Sequence, residues 1–155
     1  MAEKYYLEDL SLGQIFESGV HRVDAEEIKA FARLYDPQPF HLDEELAKDT
    51  FFGGLAASGW HVAAITMRLL TDGAAPFAGG VIGGGGEIAW PNATRPGDVL
   101  QVVSEVVAIT PSRSKPDRGM VTMRSETRNQ DGKVAQALTA KLIVPKRPAQ
   151  APGIG

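Results

Sequence analysis

Ile28, Phe31, Ala32 and Tyr35 recur at helical spacing in DAEEIKAFARLY and fall on one face. The pattern predicts an amphipathic helix, opened by Asp24 with Glu27 three residues later in the manner of a capping box. Upstream, QIFESGVHRV (Gln14–Val23) reads as a strand, with Gly13 before it as a break. Downstream, Pro37 and Pro39 stop the helix, because proline disfavours the α conformation in the residue before it. Asp43 is placed to cap a short helix in EELAKD, and a loop containing Gly53 and Gly54 follows.

The next segment, GWHVAAITMRLLT (Gly59–Thr71), is apolar on almost every side. Trp60, Ala63, Ala64 and Met67 share one face, and Val62, Ile65 and Leu69 another. Thirteen helical positions span roughly 20 Å, too short to cross a bilayer, so the pattern predicts a buried helix. After a glycine-rich bridge the chain turns β-rich: GEIAW, DVLQVVSEVVAIT, RGMVTMRSETR and KVAQALTAKLIVP, with turns at PNATRPGD and NQDG. No internal repeat or second domain is visible. One strand, then helices, then about four antiparallel strands is an α+β order. A curved sheet wrapped around one central buried helix satisfies it. The expected domain runs over residues 1–145, with 146–155 (KRPAQAPGIG) as a flexible tail.

Composition narrows the chemistry. At 155 residues the chain can bury a core without disulfides or metals, and 43% apolar with 23% charged residues is globular. It contains no cysteine, which removes thiolate metal sites, disulfides and cysteine nucleophiles together. A net charge of −3 without a basic run argues against nucleic acid as a partner. The N-terminal MAEKYYLEDL lacks the apolar core of a signal peptide and no run reaches membrane length, so a cytoplasmic protein without a membrane partner is expected.

Candidate chemistry concentrates in YDPQPFHLD (Tyr35–Asp43). Two prolines fix φ near −65°, predicting a short, extended, stiff link from Asp36 to His41. A carboxylate and an imidazole aimed at one water molecule can deliver it to an electrophilic carbon and manage its proton. Asp before Pro also starts ordinary turns, and a lone loop histidine is commonly a surface or core residue, so both readings stand on spacing alone. A second feature is ASG (Ala57–Gly59), at the start of the apolar helix. Free N–H groups and the helix dipole favour negative charge there, and Gly59 lets a carbonyl approach its amide. Ser58 as a plain N-cap and Gly59 as a packing residue is the structural alternative.

DPQPFH, followed by an apolar helix entered through a small residue and glycine, resembles the MaoC-like dehydratases, which include the (R)-specific enoyl-CoA hydratases. The family motif has the form D-x-N-P-x-H, with Asp, Pro and His in register here. LEDLSLGQIF is similar to the family's opening segment and AWPNATRPGD to its strand and PGD turn, so the resemblance extends to about Pro145. It implies a hot-dog fold, a homodimer, and CoA thioesters as substrates in fatty acid metabolism, with no metal or redox cofactor. On that resemblance Asp36 and His41 hold the catalytic water, and Gly59 N–H beside Ser58 polarises the thioester carbonyl. The activity implied is hydration of a trans-2-enoyl-CoA, or dehydration of a 3-hydroxyacyl-CoA. Three departures point to a distinct subgroup: Gln38 replaces the usual Asn, Ser58 stands where many members have His, and Trp60 adds a bulky ring that can restrict the acyl pocket.

SRSKPDRG (Ser112–Gly119) gathers Arg113, Lys115 and Arg118 in one loop, fit either to grip CoA phosphates or to remain solvated surface charge. His61 is expected as a hydrogen-bonded core imidazole. No histidine–carboxylate spacing around His21 suggests a metal site, and Gly83–Gly86 lacks a phosphate-loop pattern. Two rival functions remain at this stage: a hot-dog acyl-CoA thioesterase and a non-catalytic acyl-CoA-binding subunit.

Overall fold

The β-rich half forms one antiparallel sheet in which alternate side chains are buried. In the computed structural model, which describes residues 4–149, β3 (Val99–Pro111) buries Leu100, Val102, Ser104 and Val106. Its partner β4 (Arg118–Arg128) buries Val121, Met123, Ser125 and Thr127. This period of two follows from successive side chains pointing to opposite faces of a pleated strand. With β1 (Ile15–Arg22), β2 (Gly83–Ala89) and β5 (Val134–Pro145), the sheet order is β1-β3-β4-β5-β2. Every pair of neighbouring strands is antiparallel.

The glycine run begins β2, where a register shift separates Gly83 from Gly85. A side chain on Gly86 would collide with the Thr139 carbonyl, so close strand approach explains glycine there.

The first helix, α1 (Ala25–Tyr35), starts as its spacing predicts. Asp24 accepts from Glu27 N–H at 2.8 Å, and Glu27 accepts from Asp24 N–H at 3.0 Å. Ile28 and Ala32 are fully buried; Tyr35, expected on the same face, is instead exposed. The helix ends there. Pro39 does not extend the chain but opens a one-turn helix, α2 (Pro39–Leu42). Proline is tolerated at a first helical position because its missing N–H would lack an intrahelical partner anyway. The expected extended link is therefore extended only through Pro37 and Gln38. Asp43 then caps α3 (Glu44–Ala47), accepting from Glu45 N–H and Leu46 N–H.

The sheet curls around α4 (Gly59–Leu69), the arrangement of a hot-dog fold. Val62, Ile65 and Leu69 pack into the core, each stabilising the fold by about 1.5–3 kcal/mol through burial. The enclosure is one-sided, though. Trp60, Ala64 and Met67 stay exposed on the outer face, where burial all round was expected. The apolar pattern reports what the helix can bury, and this chain's single sheet covers only part of it. Lys146 and Arg147, expected in a flexible tail, are tied down: Lys146 N–H donates to Asp117 O and Arg147 N–H to Glu8. Residues 150–155 lie outside the described residues.

Candidate active site

Local sequence brings Asp36 and His41 together by two different devices. Asp36 caps the C-terminus of α1 through its own N–H, which donates to Ala32 O at 2.9 Å. The turn of α2 then rotates His41 inward, so that its Nε2 stands 3.3 Å from Asp36 Oδ2. His41 is 4% exposed. Its other ring nitrogen, Nδ1, lies 2.6 Å from Ala56 O. A carbonyl only accepts, so Nδ1 carries the proton and, in the neutral ring, Nε2 presents a lone pair. That lone pair and the carboxylate oxygen are both acceptors at 3.3 Å. A water molecule donating one hydrogen to each relieves their opposition and leaves its own lone pairs free to attack.

The carboxylate is tuned by its surroundings. Burial pushes the Asp36 pKa up, but hydrogen bonding from the Ser58 hydroxyl and the Gln38 amide, with the nearby His41, outweighs it and holds the carboxyl below its ordinary value. Gln38 Nε2–H donates to Asp36 Oδ1, so the residue that departs from the family's Asn serves the carboxylate directly. Ser58 is fully buried and accepts from Trp60 N–H as the N-cap of α4.

The carbonyl facing His41 is held by a clamp not foreseen from sequence. Arg95 donates to the carbonyls of Phe52, Gly54 and Leu55, while Ala57 N–H donates to Thr94 O and Ala56 N–H to Phe40 O. A part-buried guanidinium satisfied by three carbonyls fixes the chain leading into α4. The available signal was a charged residue set inside TRPGD; Ala56 offered none, since every residue has a carbonyl.

Gly59 occupies the first position of α4, and among the described residues its N–H has no acceptor. Its missing side chain has a packing explanation as well. A Cβ there would lie 2.7 Å from the Trp90 ring. His41, Gly59, Val62, Trp90 and Thr94 line a cavity of about 280 Å³. The basic loop is elsewhere. Arg113 and Arg118 line a separate cavity with Met120 and Ile143, Arg118 pairs with Asp117 at 2.9 Å, and Lys115 is exposed.

His61 is buried and stacked on Phe31 at 4.8 Å, but the expected hydrogen bonding is incomplete. Among the described residues Nδ1 has no partner, and Nε2 is 3.7 Å from Glu27 Oε2, beyond hydrogen-bond length. Burial pushes the His61 pKa down against the pull of Glu27. His21 meets the same Glu27 at 3.0 Å, and among the described residues no cluster suited to a metal is found. Also among the described residues, no helix is long and apolar enough to cross a membrane.

Comparison with known proteins gives a consistent picture. The family model described as "MaoC like domain" matches residues 13–129. An uncharacterized protein of Bacillus subtilis, YdeM, is 32% identical over 127 residues, covering 80% of this chain and 87% of that protein. The crystal structure of a MaoC-like dehydratase from Rhodospirillum rubrum is 60% identical, covering 94% of this chain and 99% of the other, with a TM-score of 0.92. The (R)-hydratase of A. caviae involved in PHA biosynthesis is 28% identical, covering 91% and 99% of the two chains, with a TM-score of 0.71.

Proposed function

This chain belongs to the MaoC-like domain family, and on that premise we propose that it is a hydro-lyase acting on acyl-CoA. The observation that carries the reading is the 3.3 Å approach of His41 Nε2 to Asp36 Oδ2, with Nδ1 committed to Ala56 O. Water held between them attacks C3 of a trans-2-enoyl thioester as one of its protons passes to the pair. The C2–C3 π electrons move toward the thioester oxygen, and Gly59 N–H at the positive end of α4 stabilises the enolate. The pair then returns that proton to C2 as the enolate collapses to the thioester, which completes the addition of H and OH; dehydration runs the same steps backward. Asp36, kept ionised by its neighbours, is the principal base and His41 shares the water.

A panel of trans-2-enoyl-CoA substrates tests this by the loss of enoyl absorbance on hydration. Release of free CoA thiol with the enoyl chromophore intact would instead establish a thioesterase. Binding without either reaction would establish a non-catalytic acyl-CoA-binding subunit.

We propose that Arg113 and Lys115 grip the CoA phosphates at the mouth of the neighbouring subunit's site in a homodimer, with Arg118 contributing less because Asp117 already engages it. Phosphate recognition by such side chains is electrostatic and weakens with salt. The double charge reversal Arg113→Glu with Lys115→Glu should raise KM for the CoA substrate about tenfold, roughly 1.4 kcal/mol, while kcat holds. An unchanged KM, or a parent that binds CoA and dephospho-CoA equally, would remove the assignment.

A further inference from the structure

Trp90 follows directly on β2, and its ring lies where a side chain of residue 59 would otherwise stand. A Cβ on Gly59 would come within 2.7, 2.8 and 3.0 Å of three atoms of the indole. The same ring meets Trp60 edge to face, with centroids 5.2 Å apart and planes at 79°. Trp90 therefore packs on both residues that open α4. Glycine leaves its backbone free to turn, and here the indole fills the space and takes that freedom away.

The indole is itself anchored. Its Nε1–H donates to Oε1 of Gln136 at 2.9 Å, and Gln136, on the neighbouring strand β5, is fully buried. An indole N–H only donates, so the amide turns its oxygen toward it. Among the described residues, the Nε2 of Gln136 then has no partner. A buried amide with an unpaired donor opposes folding, and an apolar side chain of similar size would avoid that cost. What an apolar side chain cannot supply is the acceptor for Trp90.

We propose that Trp90 and Gln136 are positioning residues for the Gly59 amide, the anchored indole replacing the absent side chain and fixing the direction of its N–H. For what that N–H stabilises, an enolate oxygen, the inference rests on the hydratase reading. An oxyanion donor works by being aimed before charge develops, and a displacement of about 1 Å can cost about 10²-fold in rate. Neither side chain exchanges a proton in the reaction. Their effect therefore belongs to kcat and leaves its pH dependence alone.

The test compares the full chain with Trp90→Phe, Gln136→Leu and the double variant. The readouts are kcat, KM and the pH profile for trans-2-butenoyl-CoA, thermal unfolding, and the infrared carbonyl frequency of bound butanoyl-CoA isotope-labelled at its thioester. Each single variant should lower kcat about tenfold, part of the roughly 10²–10³ lost with an oxyanion donor, while KM and the pH profile hold. Both changes remove one and the same hydrogen bond, so the double variant should be about as slow as either single one. Having lost both partners together, it should unfold at or above the parental temperature. The carbonyl of butanoyl-CoA bound to the parent should absorb below its frequency in free butanoyl-CoA, and the variants should move it back. Trp90 is 39% exposed, so Trp90→Phe reads the same bond even if Gln136→Leu fails to fold. Unchanged kcat and carbonyl frequency would overturn the assignment, as would a kcat that falls only in step with the unfolding temperature. Losses that multiply, or a parent that neither binds butanoyl-CoA nor shifts its carbonyl, would overturn it too. If the parent hydrates no enoyl-CoA while the carbonyl shift is present and the variants reverse it, the hydratase reading falls and the positioning role stands.

Discussion

Asp36→Asn should lower kcat for enoyl-CoA hydration by about two to four orders of magnitude, the range expected on losing a positioned general base. The amide matches the carboxylate in shape, and Asp36 N–H still caps α1 through Ala32 O, so the fold should persist. What disappears is the acceptor that takes the water's proton. Saturated acyl-CoA should bind the variant nearly as well as the parent, separating a chemical loss from a binding loss. A variant retaining a tenth or more of parental kcat would remove Asp36 as base.

The same residue sets an expectation for pH. The Asp36 pKa is lowered in the fold, and the base works in its ionised form. A lowered pKa carries that form to lower pH, so the Asp36 limb of kcat/KM should fall below the ordinary aspartate range wherever the protein stays folded. The sign for stability agrees: a depressed carboxylate stabilises the fold above its unfolded value and loses that contribution as pH falls through the folded one. An acid limb assigned to Asp36 above the ordinary aspartate range would contradict the Ser58 and Gln38 hydrogen bonding.

His41→Ala should produce a loss of similar size in kcat, together with a fall in stability. The imidazole is buried, and its removal leaves the Ala56 carbonyl without the 2.6 Å donor that now satisfies it. A stranded buried acceptor costs about 1–3 kcal/mol, measurable by denaturant unfolding. Because the two groups hold one water, their effects should not add. The double variant Asp36→Asn/His41→Ala should be about as slow as either single variant. Rate losses that multiply would mean the residues act on different steps, and the shared water would have to be given up.

Much of the architecture was legible because it depends on local chemistry. The capping box of Asp24 and Glu27, the cap at Asp43 and the β-rich half are all decided within a few residues, and all are observed. The candidate site was half legible. DPQPFH announced the acid and the imidazole, but Pro39 as a first helical residue and Pro39 as an extender read alike in sequence. Only the helical turn of α2 brings His41 back toward Asp36. Trp90 and Arg95 escaped notice because their roles lie in partners far along the chain: Gln136 for one, the carbonyls of Phe52, Gly54 and Leu55 for the other.

By itself the sequence determined which groups are available: a carboxylate and an imidazole five residues apart, a helix that needs cover, and strands able to supply it. Their types and near-neighbour spacing carry that information, since propensity, capping and hydrophobic period are short-range. Tertiary structure alone decided which nitrogen of His41 faces Asp36, because the deciding carbonyl belongs to Ala56, fifteen residues on. It also decided that one face of α4 stays open, and that two tryptophans thirty positions apart meet edge to face. Such contacts depend on how the sheet curls, which is set by the packing of all five strands together and by no local segment.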